Sequence, residues 1–446
     1  MHSRKAALYS LYCASAIHGM IHTLSLFLSP LNVEISAYFQ STSVGSITSF
    51  KTVYLIVYAA SNLLFGAFTH RIPVRHTLSA GILVNAVAVT LFYLVPPNGI
   101  PLMYLLWTVA AIGGGVYHPV ANVFITRKFQ ARKGWALGIT GIGSGIGFAF
   151  GPLVTGFLSR LGMDWQSIAA LFGLFGLGIG VLSSLVIRDD GKDEEEGILD
   201  AKSIQAQGNA RPDGEHMSLQ GRSFQVGGIQ ARHLQLHEQT EPLANPAHPS
   251  TGLTLPLWGF LAWMVLFTAT REIAMWSLLD VSAFFLDVTS GNPGSASFYL
   301  FVMYLPGIVT QPLMGHWSDR WGRRGLVVLT FTVFGGALIA LPFVSIPWLF
   351  VPYVLMGAAQ SASVPLVEAI IADYTTPRNR GMMFGVFITA IMALGALGPF
   401  LSGVLIDSLG RTALAFQLLW GALGIGVLLG GLGLWSTPRV VKLLKI

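Results

Sequence analysis

The sequence predicts an all-α membrane protein of twelve transmembrane helices, arranged as two pseudo-symmetric six-helix bundles. Three observations predict it. The 446-residue chain is 53% hydrophobic and only 10% charged, whereas soluble domains carry roughly 25% charged residues. Its apolar runs recur at lengths near or above the ~20 residues needed to cross a bilayer. Pieces of the first half also reappear in the second at one fixed spacing.

The runs lie at about 7–29, 44–68, 76–95, 101–126, 133–158, 166–187, 254–282, 296–316, 325–343, 346–373, 381–405 and 412–435. They are continuously apolar, which fits helices; barrel strands alternate over ~10 residues. The 51 glycines and 22 prolines are of a kind that membrane helices tolerate. The first run is too long for a signal peptide and lacks a small-residue cleavage site. Between the sixth and seventh runs the composition turns polar, opening on Asp189-Asp190-Gly191-Lys192-Asp193-Glu194-Glu195-Glu196. Few residues there can build a core. The division expected is a first bundle over 1–187, a disordered linker over 188–252 and a second bundle over 253–446. The single cysteine, Cys13, excludes an internal disulfide.

The net charge of +6 does not mark a nucleic-acid binder. Arg4, Lys5, Arg75, Arg127, Lys128, Arg188, Arg320, Arg378, Arg439 and Lys442 all fall on one side of the twelve-helix scheme. By the positive-inside bias that side is cytoplasmic and holds both termini. The expected location is the inner (plasma) membrane, as a multi-pass protein and a monomer.

The repeat is read from two motif pairs. Gly134-Trp135-Ala136-Leu137-Gly138 matches Gly381-Met382-Met383-Phe384-Gly385, and Gly151-Pro152 matches Gly398-Pro399. Both pairs are separated by 247 positions, 138 to 385 and 151 to 398. Duplicated six-helix halves of this kind enclose a site near the midplane.

Between the eighth and ninth runs stands Gly315-His316-Trp317-Ser318-Asp319-Arg320-Trp321-Gly322-Arg323-Arg324. Gly315 allows close helix approach and Gly322 suits a tight turn. Asp319 is placed to accept charge-assisted hydrogen bonds from Arg320, Arg323 or Arg324, or to cap a neighbouring helix. Such a latch closes one face and breaks when the halves rock; the blander reading is a basic, topology-setting loop. An eroded copy runs from Gly66 through Arg71 to Arg75, with His70 in the acidic place and Pro73 in the place of the glycine. In the fifth run, Gly138, Gly147, Gly151, Pro152 and Gly156 give a smooth packing face and a bend. No Lys-Ser/Thr follows them, so this is not a phosphate loop.

Ionisable groups within membrane spans are expensive and mark candidate functional sites. His18 and His22 share a helix face at i and i+4. Their spacing suits a metal pair, but no third ligand is evident, so no metal is expected; imidazole suits a proton relay better. Lys51 lies in the second run, His118 and Asn122 in the fourth, Arg271, Glu272 and Asp280 in the seventh, and Gln360, Glu368 and Asp373 in the tenth. Arg271 and Glu272, about 100° apart on a helix, are expected to face each other poorly. No nucleophile–base set is present, so no enzyme and no cofactor are expected.

The charged turn matches the signature of the major facilitator superfamily in every key position, and the sequence is similar to that family. The fifth-run glycines resemble the signature of the superfamily's exporters, with Thr155 in place of one glycine. Gly113-Gly114-Gly115-Val116-Tyr117-His118-Pro119, taken with His18-x-x-x-His22, resembles the fosmidomycin-resistance-type efflux branch. Here His22 and Val120 stand where that branch has acids. The resemblance implies the major facilitator fold, with runs one, four, seven and ten around a central cavity. His18, His22, His118, Arg271, Gln360 and Glu368 all lie on those four runs. Arg271 resembles an arginine placed similarly in the family's seventh helix. With two acids missing the cavity reads as positive, and unpaired buried cations are costly unless an anion fills the space. The expected cargo is a small organic anion or a drug-like amphiphile. Arg271 is the clamp, and His18, His22, His118, Lys51, Asn122 and Gln360 contribute to binding. Glu368, Glu272 and His118 are the candidate proton carriers. The expected activity is proton-coupled export by alternating access. An importer, a uniport facilitator or a non-transporting sensor are the alternatives.

Overall fold

The first crossing begins as α1 (His2–Leu26) and ends at Ser29-Pro30-Leu31, a single 3₁₀ turn that feeds a short α2 (Asn32–Tyr38). Five further segments complete the first half. They are α3 (Val44–Phe68), α4 (Val74–Thr90), the pair α5 (Ile100–Gly115) and α6 (Tyr117–Lys128), then α7 (Lys133–Arg160) and α8 (Trp165–Val186). The second half holds α9 (Leu255–Ser290), α10 (Ala296–Tyr304), α11 (Gly307–Trp321), α12 (Arg323–Ala340) and α13 (Phe350–Asp373). It ends with α14 (Pro377–Gly395), α15 (Leu397–Leu409), α16 (Ala413–Trp435) and α17 (Thr437–Leu444). This is a computed structural model, and it describes residues 2–68, 73–129, 133–187, 255–375 and 377–444. The expected linker at 188–252 and the turn residues His70 and Arg71 lie outside the described residues, as does the side chain of Asp319.

Among the described residues eleven segments are long and apolar enough to cross a membrane, six in the first half and five in the second. Leu182, Leu185, Leu429 and Leu432 are each more than half exposed, as lipid-facing leucines are. The protein is therefore a multi-pass integral membrane protein. The expected run at 296–316 is the one that does not qualify. It divides at Leu305-Pro306 into α10 and α11, of nine and fifteen residues.

Proline explains that break and two others. A proline ring clashes with the carbonyl four residues back and supplies no N–H. Pro119 acts on Gly115, the last residue of α5, and Pro399 acts on Gly395, the last residue of α14. Pro152 and Pro365 stay inside α7 and α13. Helix starts are locally encoded as well. Asp164 accepts from the Ser167 amide at 2.6 Å to cap α8, and Thr412 accepts from Ala415 to cap α16. Gly322 turns the chain between α11 and α12 at φ +82°.

Packing repeats as the sequence does. In the first half α1 lies on α7 and α8, α4 on α5 and α8, and α3 on α5; in the second, α9 lies on α14, α15 and α16, and α12 on α13 and α16. The halves meet along two seams, α7 on α10 and α3 on α14 and α15. Glycines 247 positions apart make equivalent contacts. A Cβ on Gly156 would meet Ser297 of α10 at 2.3 Å, and one on Gly403 would meet Thr48 of α3 at 2.4 Å.

Candidate functional site

The helices place the chemistry in three clusters. The first is built on the break between α5 and α6. Tyr117 donates to the Ala14 carbonyl at 2.9 Å, which brings the start of α6 onto α1. His18 is stacked on Tyr117 at 4.5 Å between ring centroids, and His118 stands edge-on to it at 4.9 Å. His18 Nδ1 lies 2.9 Å from the Thr140 carbonyl of α7, and His18 Nε2 lies 3.0 Å from His22 Nε2. His22 stacks on Phe148, which stacks in turn on Tyr304 of the second half. The sequence offers no third imidazole beside the His18/His22 pair; the fold supplies His118 from a hundred residues away. Asn122, one turn beyond His118, is exposed.

The second cluster lies between α3 and α9. The Lys51 ammonium bonds the Ser25 carbonyl and sits over the rings of Trp107 and Tyr54 at 5.1 and 5.5 Å. Asp280 of α9 is within electrostatic reach of it. Asn32 donates to the Asp280 carboxylate at 3.1 Å and to its carbonyl at 2.7 Å. Lys51 and Asp280 line one small cavity with Leu28, Phe50 and Trp107. Sequence reasoning noted Asp280 only as an intramembrane acid and passed over Asn32, because nothing local pairs them with a lysine on another helix.

The third cluster is centred on α9. Arg271 and Glu272 are buried at 3% and 4% exposure and form a direct ion pair. A second Arg271 nitrogen bonds Ser363 of α13, and its guanidinium lies 5.7 Å from the centroid of Phe331. Gln360 reaches the Glu272 carboxylate at 3.5 Å, and Glu368 lies within the field of Arg271. Two expectations are corrected here. Sequence neighbours on a helix do pair, because the long arginine side chain folds back over the 100° between them. The cations are not unpaired either: Arg271 holds Glu272, and Lys51 has Asp280 nearby, so the argument from an unfilled positive cavity loses its premise.

The charged turn is tied into its own half. Arg323 pairs with Asp373 and donates to the Ala369 carbonyl at 2.8 Å, joining α12 to α13. Arg320 and Arg324 are exposed. In the first-half copy Arg75 donates to the Ser184 carbonyl at 2.7 Å, joining α4 to α8, and Gly66 lies against Pro119. Polar contacts between the halves are found at the face opposite these basic turns. The Asp407 carboxylate at the end of α15 accepts from Ser43 Oγ, Val44 N and Gly45 N at 2.7, 2.7 and 2.9 Å. It therefore caps the N-terminus of α3 from the other half of the chain. On the same face Arg411 donates to Ser36 Oγ at 3.0 Å. In the glycine-rich α7, Gly147 and Gly151 abut Gly19 and Thr23 of α1, and Gly156 abuts α10; Gly138 has open space beside it.

The architecture recurs in known proteins. The chain is similar to an MFS-type efflux transporter, pyiT, of Pyricularia grisea, with 36% identity over 22% of this chain and 16% of that one. It is also similar to a Na(+), Li(+), K(+)/H(+) antiporter of Planococcus maritimus, with 28% identity over 35% of this chain and 37% of that one. The matched stretches thus span about a sixth and about a third of those relatives. Among solved structures, a bacterial homologue of the human lysosomal transporter Spinster, inward-facing and unoccupied, superposes with a TM-score of 0.72. That match covers 99% of this chain and 98% of the other at 15% identity, and so speaks to the fold. The model of the Major Facilitator Superfamily matches residues 11–286 and 265–445, nearly the whole chain. The chain belongs to the Major Facilitator Superfamily.

Proposed function

We propose that the protein is a secondary transporter that exports a drug-like amphiphile in exchange for protons. Two six-crossing halves rock about the space between the His18 cluster and the Arg271 cluster. In this reading α10 and α11 together make the twelfth crossing, the basic face is cytoplasmic, and the chain sits as a monomer in the plasma membrane. The residue pattern around His18 and His118 supports a place near the fosmidomycin-resistance-type branch. The efflux and cation/proton antiport for which those two relatives are named support outward movement.

One observation carries the reading: a single buried guanidinium, Arg271, pairs with Glu272 and also acts electrostatically on a second carboxylate, Glu368. Its charge satisfies one of them. The other, Glu368, is half-buried and in excess, and binding a proton removes its charge at least cost. Glu368 is that proton carrier. A cationic or neutral amphiphile held against Tyr304, Phe148 and the imidazoles competes with that proton, and competition is the logic of antiport. The organic-anion reading is supported by Arg271 itself and has the opposite sign. To clamp an anion Arg271 must release Glu272, which then takes up a proton. Proton and anion then travel together, as in an importer.

The test is flux in proteoliposomes under an imposed pH gradient, with a panel of organic anions and cations. Wild type is run beside Glu368→Gln. The expected outcome is amphiphile movement opposite to the proton gradient, abolished in the variant. Anion movement along the proton gradient establishes the importer. Flux indifferent to both gradient and variant establishes a facilitator.

A further inference from the structure

The three imidazoles have a geometry that the transport reading does not require. One nitrogen from each of His18, His22 and His118 lies within 4.8 Å of the others, and among the described residues no carboxylate or thiol joins them. The Thr140 carbonyl can only accept, so the His18 Nδ1 beside it is the protonated nitrogen. In the neutral ring this leaves the lone pair on Nε2, the atom that faces His22 Nε2 at 3.0 Å. A carbonyl that fixes one ring nitrogen and presents the other is the usual support of a metal-ligating histidine. Imidazole nitrogens bound to a tetrahedral metal at ~2.0–2.1 Å stand about 3.3–3.4 Å apart. The His18–His22 pair is a few tenths of an ångström from that spacing. Tyr117 and Phe148 stack on two of the rings and hold their planes. Nearby, the ring of Tyr58 lies 6.3 Å from that of His118, and its buried hydroxyl has no partner among the described residues.

We propose that His18, His22 and His118 form a binding site for a late first-row divalent metal ion, of the class of Zn²⁺, Ni²⁺ and Co²⁺. The ion is taken up bare or inside a small carboxylate chelate. Three neutral nitrogen donors without thiolate or carboxylate suit this class and not Mg²⁺ or Ca²⁺, which prefer oxygen. Three protein ligands leave a fourth coordination position for water, a chelator or cargo. The inference goes beyond the amphiphile reading and does not depend on it.

The test uses the full-length protein, purified in detergent without a polyhistidine tag and titrated with Co²⁺. A saturable rise in visible d–d absorption at one ion per chain is expected. His118→Ala should weaken binding by more than the ~10–100-fold that loss of a supporting hydrogen bond costs. His118→Cys should retain binding and add a thiolate-to-cobalt charge-transfer band, which a merely folded protein does not produce. Repeating the titration with radiolabelled citrate separates the two sources. Citrate retained only when Co²⁺ is present identifies the chelate; Co²⁺ bound with citrate left in solution identifies the bare ion. Absence of the Co²⁺ spectrum, or equal affinity in His118→Ala, overturns the site. Either result leaves the Glu368→Gln flux test standing by itself.

Discussion

At 3% exposure a guanidinium needs an anion, and at Arg271 the chain supplies its own. Removing one partner of a buried pair strands the other. Arg271→Ala is therefore expected to cost about 3–5 kcal/mol, read as a large fall in thermal stability in detergent. Arg271→Lys keeps the charge but not the fork that bonds Ser363 and Glu272 with separate nitrogens. It is expected to cut flux at least about tenfold, with a smaller loss of stability. Wild-type flux in that variant would remove Arg271 from the mechanism. The position of Arg271 within a membrane-spanning helix was legible in the sequence. Its pairing was not, because helical angle describes where Cβ points and says little about where a long side chain ends. His118 shows the same limit at longer range. The pair at positions 18 and 22 is visible as a pattern, whereas the third ring arrives only through the α5–α6 break and the Tyr117 hydrogen bond.

Within α7 the glycines separate by what surrounds them. A Cβ on Gly147 would lie 2.0 Å from the Gly19 carbonyl of α1, and one on Gly143 would lie 2.1 Å from that of Ser15. Backbone cannot yield to that, so Gly147→Ala is expected to push α7 off α1 and abolish recovery of folded protein. Gly138 meets nothing within 4 Å. Gly138→Ala is expected to be neutral or to stabilise by up to about 1 kcal/mol through helix propensity. Equal thermal stability for the two variants would show that tight packing is not what α7 glycines are for. The sequence marked both as one motif, since spacing alone does not say which side of a helix meets a neighbour. Prolines were ambiguous for a related reason. Pro119, Pro306 and Pro399 stand at helix breaks, whereas Pro152 and Pro365 lie within continuous helices.

For the molecule as a whole, the apolar runs and the repeat were legible because lipid and duplication both write on long stretches. The contacts that join the halves were not, since each rests on a few polar atoms hundreds of residues apart. The expected latch was the basic turn. The contacts described for Arg75 and Arg323 lie within single halves, whereas Asp407 on α3, Arg411 on Ser36 and Asn32 on Asp280 tie one half to the other. Asp407→Ala is expected to shift the equilibrium toward an open far face by roughly tenfold, the scale of a lost charge-assisted hydrogen bond on a partly solvated group. Spin labels at Asn98→Cys and Ser345→Cys, both exposed on that face, with Cys13→Ser as background, read the change as longer distances. An unchanged distance distribution would show that Asp407 does not hold the face shut.

That same carboxylate bears on how the chain is made. Val44 emerges from the ribosome 363 residues before the aspartate that satisfies its amide. Through nearly all of synthesis the Val44 and Gly45 amides therefore lack this acceptor, and α3 is capped only by the local Ser43 hydroxyl, which accepts from the Ser46 amide at 3.0 Å. The second half completes the cap only once α15 has been made. Closure of that face thus reports that the protein is whole, and chains truncated before Asp407 should be held open there and recognised as incomplete by the cell's membrane quality control.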